Sequence, residues 1–155
     1  MRSMQSFESA MRRVLATQCS SVWRGLLVYM APDAYLADPH VQVGLVAADG
    51  GPLTWPLQIS LLQTKEFAFF GTRIPAERAL ALGLANHVVA DPLTEALAAA
   101  KKLSELPQKA VESTKRLVNI HLERAILASL DYAMTSEDLT FQSEDFRATI
   151  ARLVR

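Results

Sequence analysis

The chain has a single cysteine, only six glycines and no long apolar run, and each scarcity closes off a class of protein. Cys19 on its own cannot form an internal disulfide, and the absence of CxxC or HExxH spacing argues against a structural zinc site. The longest apolar runs are Gly25 to Met30 (GLLVYM) and Leu93 to Ala100, the second interrupted by Thr94 and Glu95. Neither reaches the roughly 20 residues that span a bilayer, so no membrane role is expected. No charge of one sign dominates: Lys+Arg and Asp+Glu each number 16, leaving no global field to draw in nucleic acid or an anionic membrane. The opening MRSMQSFESAMRRVLA carries Glu8 and lacks a sustained apolar core, which argues against a signal peptide. What is present suits one soluble, cytoplasmic domain: 155 residues, half of them apolar, enough to close a single core.

Patterning divides the chain near Pro32. Before it, Phe7, Met11, Val14 and Leu15 fall on one helical stripe, and an apolar stretch follows from Val22 to Met30. After it, Ala34-Tyr35-Leu36 reads as a short strand and Asp38-Pro39 as a turn. Gly44 and Asp49-Gly50-Gly51-Pro52 mark a loop that permits close backbone approach. Ile59 to Phe70 places Leu62, Glu66, Phe69 and Phe70 at helical spacing, with Gly71 as the stop. Ile74-Pro75 predicts the next helix start, Asn86 to Val89 a short strand, and Asp91-Pro92 the cap of an Ala-rich helix ending near Pro107. A helix over about Gln108 to Val118 follows, then a stripe of Leu122, Ala125, Ile126, Ser129, Leu130 and Ala133. Ser143 is placed to cap a last helix, with Glu144 and Asp145 at its start and Arg152 near its end. The sum is mostly helical α/β, about six helices with two or three short strands, too few for a sheet with its own buried face.

From Asp33 to Asn119 three blocks stand in order: AYLADPHVQVGLVAADGG, WPLQISLLQTKEFAFFGTRIPAERALALGLANHVV and LSELPQKAVESTKRLVN. Together they resemble the crotonase (enoyl-CoA hydratase/isomerase) superfamily, matching its "D-P-x-V-x-x-G-L" turn, Gly-rich loop, "L-T-G-x-R-I", "L-G-L-V-N-x-V-V" and "T-K-x-x-x-N" in sequence. The resemblance implies a partial crotonase-like (ClpP/crotonase) spiral fold of β-β-α turns, followed by helices that build a trimer or hexamer. It implies an acyl-CoA thioester as substrate, with no separate cofactor. In the family two backbone N–H groups hold the thioester oxygen as it becomes an enolate, and nearby groups move protons.

The resemblance also implies what the chain lacks. Family members carry a strand-rich half before the point matching Asp33, and it supplies both oxyanion N–H groups and the first glutamate of the hydratases. No glycine cluster precedes Asp33, where Gly25 stands alone, and His40 occupies the position of the second glutamate. The expectation is therefore the C-terminal half of a crotonase domain over 33–155, preceded by a non-family segment 1–32, truncated and inactive as a lone chain. The alternative is a non-catalytic acyl-CoA-binding or oligomerisation module.

The candidates for proton transfer are Asp49 and His40. Asp49 reads equally as a turn aspartate, and His40 as a surface or helix-entry histidine. Pro39, Leu45, Ala48, Gly50 and Gly51 belong to the stretch that resembles the pocket edge. Lys115, in the "T-K" block, is a candidate for the CoA phosphates, although Lys101-Lys102 and Lys115-Arg116 read equally as solvated helix faces. Phe141 is placed against a neighbouring subunit's ligand or in the core, and Trp55 in a trimer contact. His87 and His121 have no partner at ligand spacing and read as structural.

Overall fold

Short extended pieces alternate with helices because Gly, Pro and capping side chains punctuate the chain every few residues. In the computed structural model, residues 27–153 are described; the stripe from Phe7 to Leu15 and most of the segment before Pro32 lie outside them. Among the described residues, four strands of two residues each form two pairs. β1 (Tyr29–Met30) runs parallel to β4 (His87–Val88), and β2 (Tyr35–Leu36) runs antiparallel to β3 (Ile74–Pro75). Tyr29 stacks on His87 at 4.7 Å between ring centroids, and the Arg73 guanidinium lies 4.4 Å above the Tyr35 ring. Met30 is buried, so packed structure begins before Pro32.

The helices are α1 (Gly51–Thr54), α2 (Leu61–Phe70), α3 (Ala76–Ala81), α4 (Pro92–Ser104), α5 (Gln108–Phe141) and α6 (Glu144–Leu153), with 3-10 turns at Val41–Val43 and Trp55–Leu57. Several ends are set by side-chain caps, Asp91 and Ser143 as expected and Ser60 in addition. Ser60 Oγ accepts from the Gln63 N–H at 3.2 Å, Asp91 Oδ1 from Thr94 at 3.1 Å, and Ser143 Oγ from Phe146 at 3.1 Å.

The core gathers Met30, Leu36, Trp55, Ile59, Phe67, Ile74 and Leu84 with Ala76, Ala79 and Ala85. Trp55 lies at its centre, 2% exposed, with Phe67 edge-on to its ring at 6.2 Å. That corrects its placement in a trimer contact. The 3-10 turn that continues α1 aims the indole inward, and the chain's own residues cover it.

Three other expectations change. Ile74-Pro75 pairs as a short strand that leads straight into the expected helix; Pro75 is the N-cap of α3 rather than its first residue, with the extended ψ that pairing with Tyr35 requires. On α2 the buried side chains are Thr64, Phe67 and Ala68, while Leu62, Phe69 and Phe70 face outward, 56–77% exposed. The helix is apolar on more than one side, so spacing alone does not choose its buried face. The helix from Gln108 and the stripe from Leu122 form one 34-residue helix, about 50 Å long at 1.5 Å per residue, because neither Gly nor Pro interrupts it.

The turn that carries the site is held from several directions. Gln42 Nε2 donates to the Phe69 carbonyl at 2.7 Å, and the Val46 N–H donates to Thr140 Oγ1 at 3.2 Å. Gly44 has φ 81°, and a Cβ there would lie 3.1 Å from the Phe146 backbone, so α6 packs where a side chain would stand. At Gly51 a Cβ would fall 2.7 Å from the Trp55 ring. Gly51→Ala is therefore expected to lower unfolding stability by ~1–3 kcal/mol, since the indole is enclosed and has nowhere to move. Urea unfolding of the variant against the wild type reads this directly; an unchanged midpoint contradicts it.

Candidate active site

Asp38 is the buried centre of the stretch from Asp38 to Gly51, 1% exposed. Its Oδ1 lies 2.8 Å from His40 Nδ1, within hydrogen-bond distance, and accepts from the His40 backbone N–H at 3.3 Å. Its Oδ2 accepts from the Gly51 N–H at 3.0 Å. The last bond satisfies the first N–H of α1, whose N-cap residue Gly50 offers no side chain to the helix end. One carboxylate thus ties the two ends of the loop together. The His40 carbonyl closes it from within, accepting from Val43 at 3.0 Å and Leu45 at 2.9 Å.

His40 is buried, 6% exposed, which corrects its reading as a surface histidine, while its place at the N-cap of the Val41–Val43 turn matches the helix-entry reading. The Pro39 turn and the bond to Asp38 draw the ring inward. On its other side, Nε2 stands 3.5 Å from Asp49 Oδ1, and the Asp49 side chain is 59% exposed. Burial alone would lower the imidazole pKa. The Asp38 hydrogen bond, with the charges of Asp38, Asp49 and Glu137, outweighs that and holds it above its ordinary 6.5. The arrangement is an imidazole anchored at Nδ1, with Nε2 turned to an exposed carboxylate, a geometry suited to moving a proton near neutral pH.

Asp49 and Ala48 edge a cleft of about 470 Å³ between α1 and α5, walled by Leu53, Thr54, Leu122 and Ile126. Gly50, Gly51 and Leu45 are buried but do not line it, and Pro39 is half-buried at the far end of the turn. Lys115 is not brought to this cleft. It lines a second, of about 420 Å³, with Leu103, Leu106, Pro107 and Val111. Phe141 ends α5, 47% exposed, with Phe146 edge-on at 5.2 Å. Among the described residues no group of three His, Cys, Asp or Glu side chains is arranged to hold a metal ion, and no helix is long and apolar enough to cross a membrane.

Two participants were not singled out from the sequence. Asp38 had a local signal: an aspartate two residues before His40 forms an Asx turn when its side chain accepts the backbone N–H two residues on. Glu137 had none, because only the fold brings α5 near the loop.

The sequence profile of the enoyl-CoA hydratase/isomerase family matches residues 26–154. Among solved structures, an enoyl-CoA hydratase/isomerase from Mycobacterium paratuberculosis is 67% identical, with a TM-score of 0.84, over 86% of this chain and 54% of that one. An enoyl-CoA hydratase from Mycobacterium smegmatis is 25% identical, with a TM-score of 0.67, over 78% of this chain and 58% of that one. The human mitochondrial Delta(3,5)-Delta(2,4)-dienoyl-CoA isomerase is 33% identical over 122 residues, 76% of this chain and 37% of its own length. The fold is therefore crotonase-like, mostly helical with few short strands. The chain belongs to the enoyl-CoA hydratase/isomerase family. It spans about half the length of the solved relatives and little more than a third of the human isomerase.

The raised pKa of His40 fixes the sign of a stability effect. A base whose folded pKa lies above its unfolded value stabilises the fold fully below about 6.5, and that contribution is lost as pH rises through the folded value. The stability advantage of the wild type over His40→Gln is expected to shrink as pH is raised from about 6 to 9. Urea midpoints of both proteins across that range check it; an advantage that grows with pH contradicts it.

Proposed function

We propose that this chain supplies one wall of an acyl-CoA thioester site, with His40 and Asp49 as its proton-transfer groups. The observation that carries the reading is the buried His40, anchored by Asp38 and facing Asp49 beside an apolar cleft. The chemistry is of the hydratase/isomerase kind. In hydration, a water oxygen bonds to the β-carbon of an enoyl thioester, its proton passes to a base, and the α-carbon of the enolate takes a proton. In isomerisation, a proton leaves one carbon and returns to another. Either path places negative charge on the thioester oxygen, which preorganised N–H donors stabilise. His40 and Asp49 move the protons; Ala48, Gly50 and Gly51 shape the wall; the cleft between α1 and α5 receives the acyl group. Pro39 and Leu45 support the turn from behind.

In this reading residues 33–155 correspond to the C-terminal half of the relatives' fold, and the oxyanion N–H groups come from the other half. Losing one such donor typically costs about 10²–10³ in rate, so without them the 155 residues alone turn over no thioester. A cytoplasmic setting in fatty acid metabolism accords with that substrate class. Lys115 is then a phosphate contact only if CoA extends to the second cleft, and Phe141 a contact only across a subunit boundary.

A second reading, a module for assembly into a trimer or hexamer, is favoured by the apolar side chains on α5. Leu117, Val118, Leu127, Tyr132 and Leu139 are 62–78% exposed. Buried against copies of itself, that surface would stabilise an oligomer.

The test is crotonyl-CoA hydration, followed by thioester absorbance, with light scattering on the same sample. The chain alone is expected to be inactive. Fusion of the N-terminal half of the Mycobacterium paratuberculosis relative to residues 27–155 is expected to give turnover, which Asp49→Asn lowers by ~10²–10⁴. Turnover by the chain alone contradicts the one-wall reading; full activity of Asp49→Asn in the fusion removes Asp49 from the chemistry.

A further inference from the structure

We infer that Asp38 is a positioning residue: it holds the imidazole proton of His40 on Nδ1 and so presents Nε2, unprotonated in the neutral ring, to Asp49 and the cleft. The inference rests on the reading of His40 as a proton-transfer group, but its structural content stands apart from any activity.

Three donors converge on Asp38: the His40 side chain, the His40 backbone N–H and the Gly51 N–H. All three require the carboxylate to accept. An acceptor 2.8 Å from Nδ1 places the ring proton on Nδ1, because two lone pairs facing each other there would repel. The carboxylate cannot turn away to relieve such a clash, since Oδ2 is committed to Gly51 and the group is 1% exposed.

The other ring nitrogen is held quite differently. At 3.5 Å, Asp49 is too distant for a well-formed hydrogen bond to Nε2, and its side chain is largely exposed. Nε2 is therefore the atom of His40 that can exchange a proton with a water, a thioester carbon or Asp49. Glu137, on α5, is the further charge acting on the ring from outside the loop. Asp38 does not touch the reacting atoms in this scheme. It chooses which nitrogen does.

The test is a long-range ¹H–¹⁵N spectrum of the chain with ¹⁵N-labelled histidine, recorded above the His40 pKa. The His40 signals are identified by their loss in His40→Gln. The expected wild-type result is a neutral His40 ring with the proton on Nδ1, opposite to the usual preference of free histidine for Nε2–H. In Asp38→Asn, an amide that keeps its oxygen on the Gly51 N–H turns its NH₂ toward Nδ1. That makes Nδ1 an acceptor and moves the ring proton to Nε2. The Nδ1–H form is accordingly expected to fall from dominant to minor. A folded Asp38→Asn protein that keeps a dominant Nδ1–H form overturns the inference. If that variant does not fold, the wild type alone decides, because an Nε2–H ring overturns the inference and an Nδ1–H ring supports it. The spectrum needs no substrate, so failure of the thioester assay and failure of this inference are separate results.

Discussion

The buried carboxylate of Asp38 is the constraint on which the rest of the site depends. It accepts from a side chain, from a backbone N–H two residues on, and from the first N–H of α1. Leaving a buried donor without its acceptor costs about 1–3 kcal/mol, and here one group satisfies three. The loop between Asp38 and Gly51 is therefore pinned at both ends by a single residue. What it presents, Nε2 of His40 and the carboxylate of Asp49, inherits its position from that pin. α2, α5 and α6 then fix the loop from outside through Gln42, Val46 and Gly44.

Much of this was legible in the sequence where the signal is local. Asp91 and Ser143 cap the helices they precede because their side chains reach N–H groups three residues on, a distance the sequence shows directly. The density of family blocks from Asp33 onward pointed to the crotonase-like fold. What stayed hidden depends on tertiary contact. α2 has apolar residues on more than one face, and only its packing against Trp55 shows that Phe67, rather than Phe69 or Phe70, is inside. Ile74-Pro75 marks the helix start correctly, but its strand pairing shows only once its partner, Tyr35, is known. The burial of His40 follows from Asp38, a residue that looks like an ordinary turn aspartate when read alone.

The surroundings of the loop are built from helices more than from sheet. The two strand pairs are two residues long, so the wall around Asp38 rests on helices and side-chain bonds rather than on a continuous sheet. The long α5 buries only Ala133 fully, and much of its apolar surface faces outward. In relatives about twice as long, further chain is available to cover such surfaces. The proposal that this loop is one wall of a thioester site, with the donors for the thioester oxygen supplied by other chain, builds on that outward-facing surface.

The most direct test of that account is a map of amide chemical-shift changes in the chain on titration with butyryl-CoA, set against free CoA. If this loop is one wall of a thioester site, the changes specific to the acyl compound fall on Ala48 to Thr54, on His40, and on Leu122 and Ile126 across the cleft. Changes confined to the Lys115 cleft, or identical for free CoA and its thioester, would contradict it.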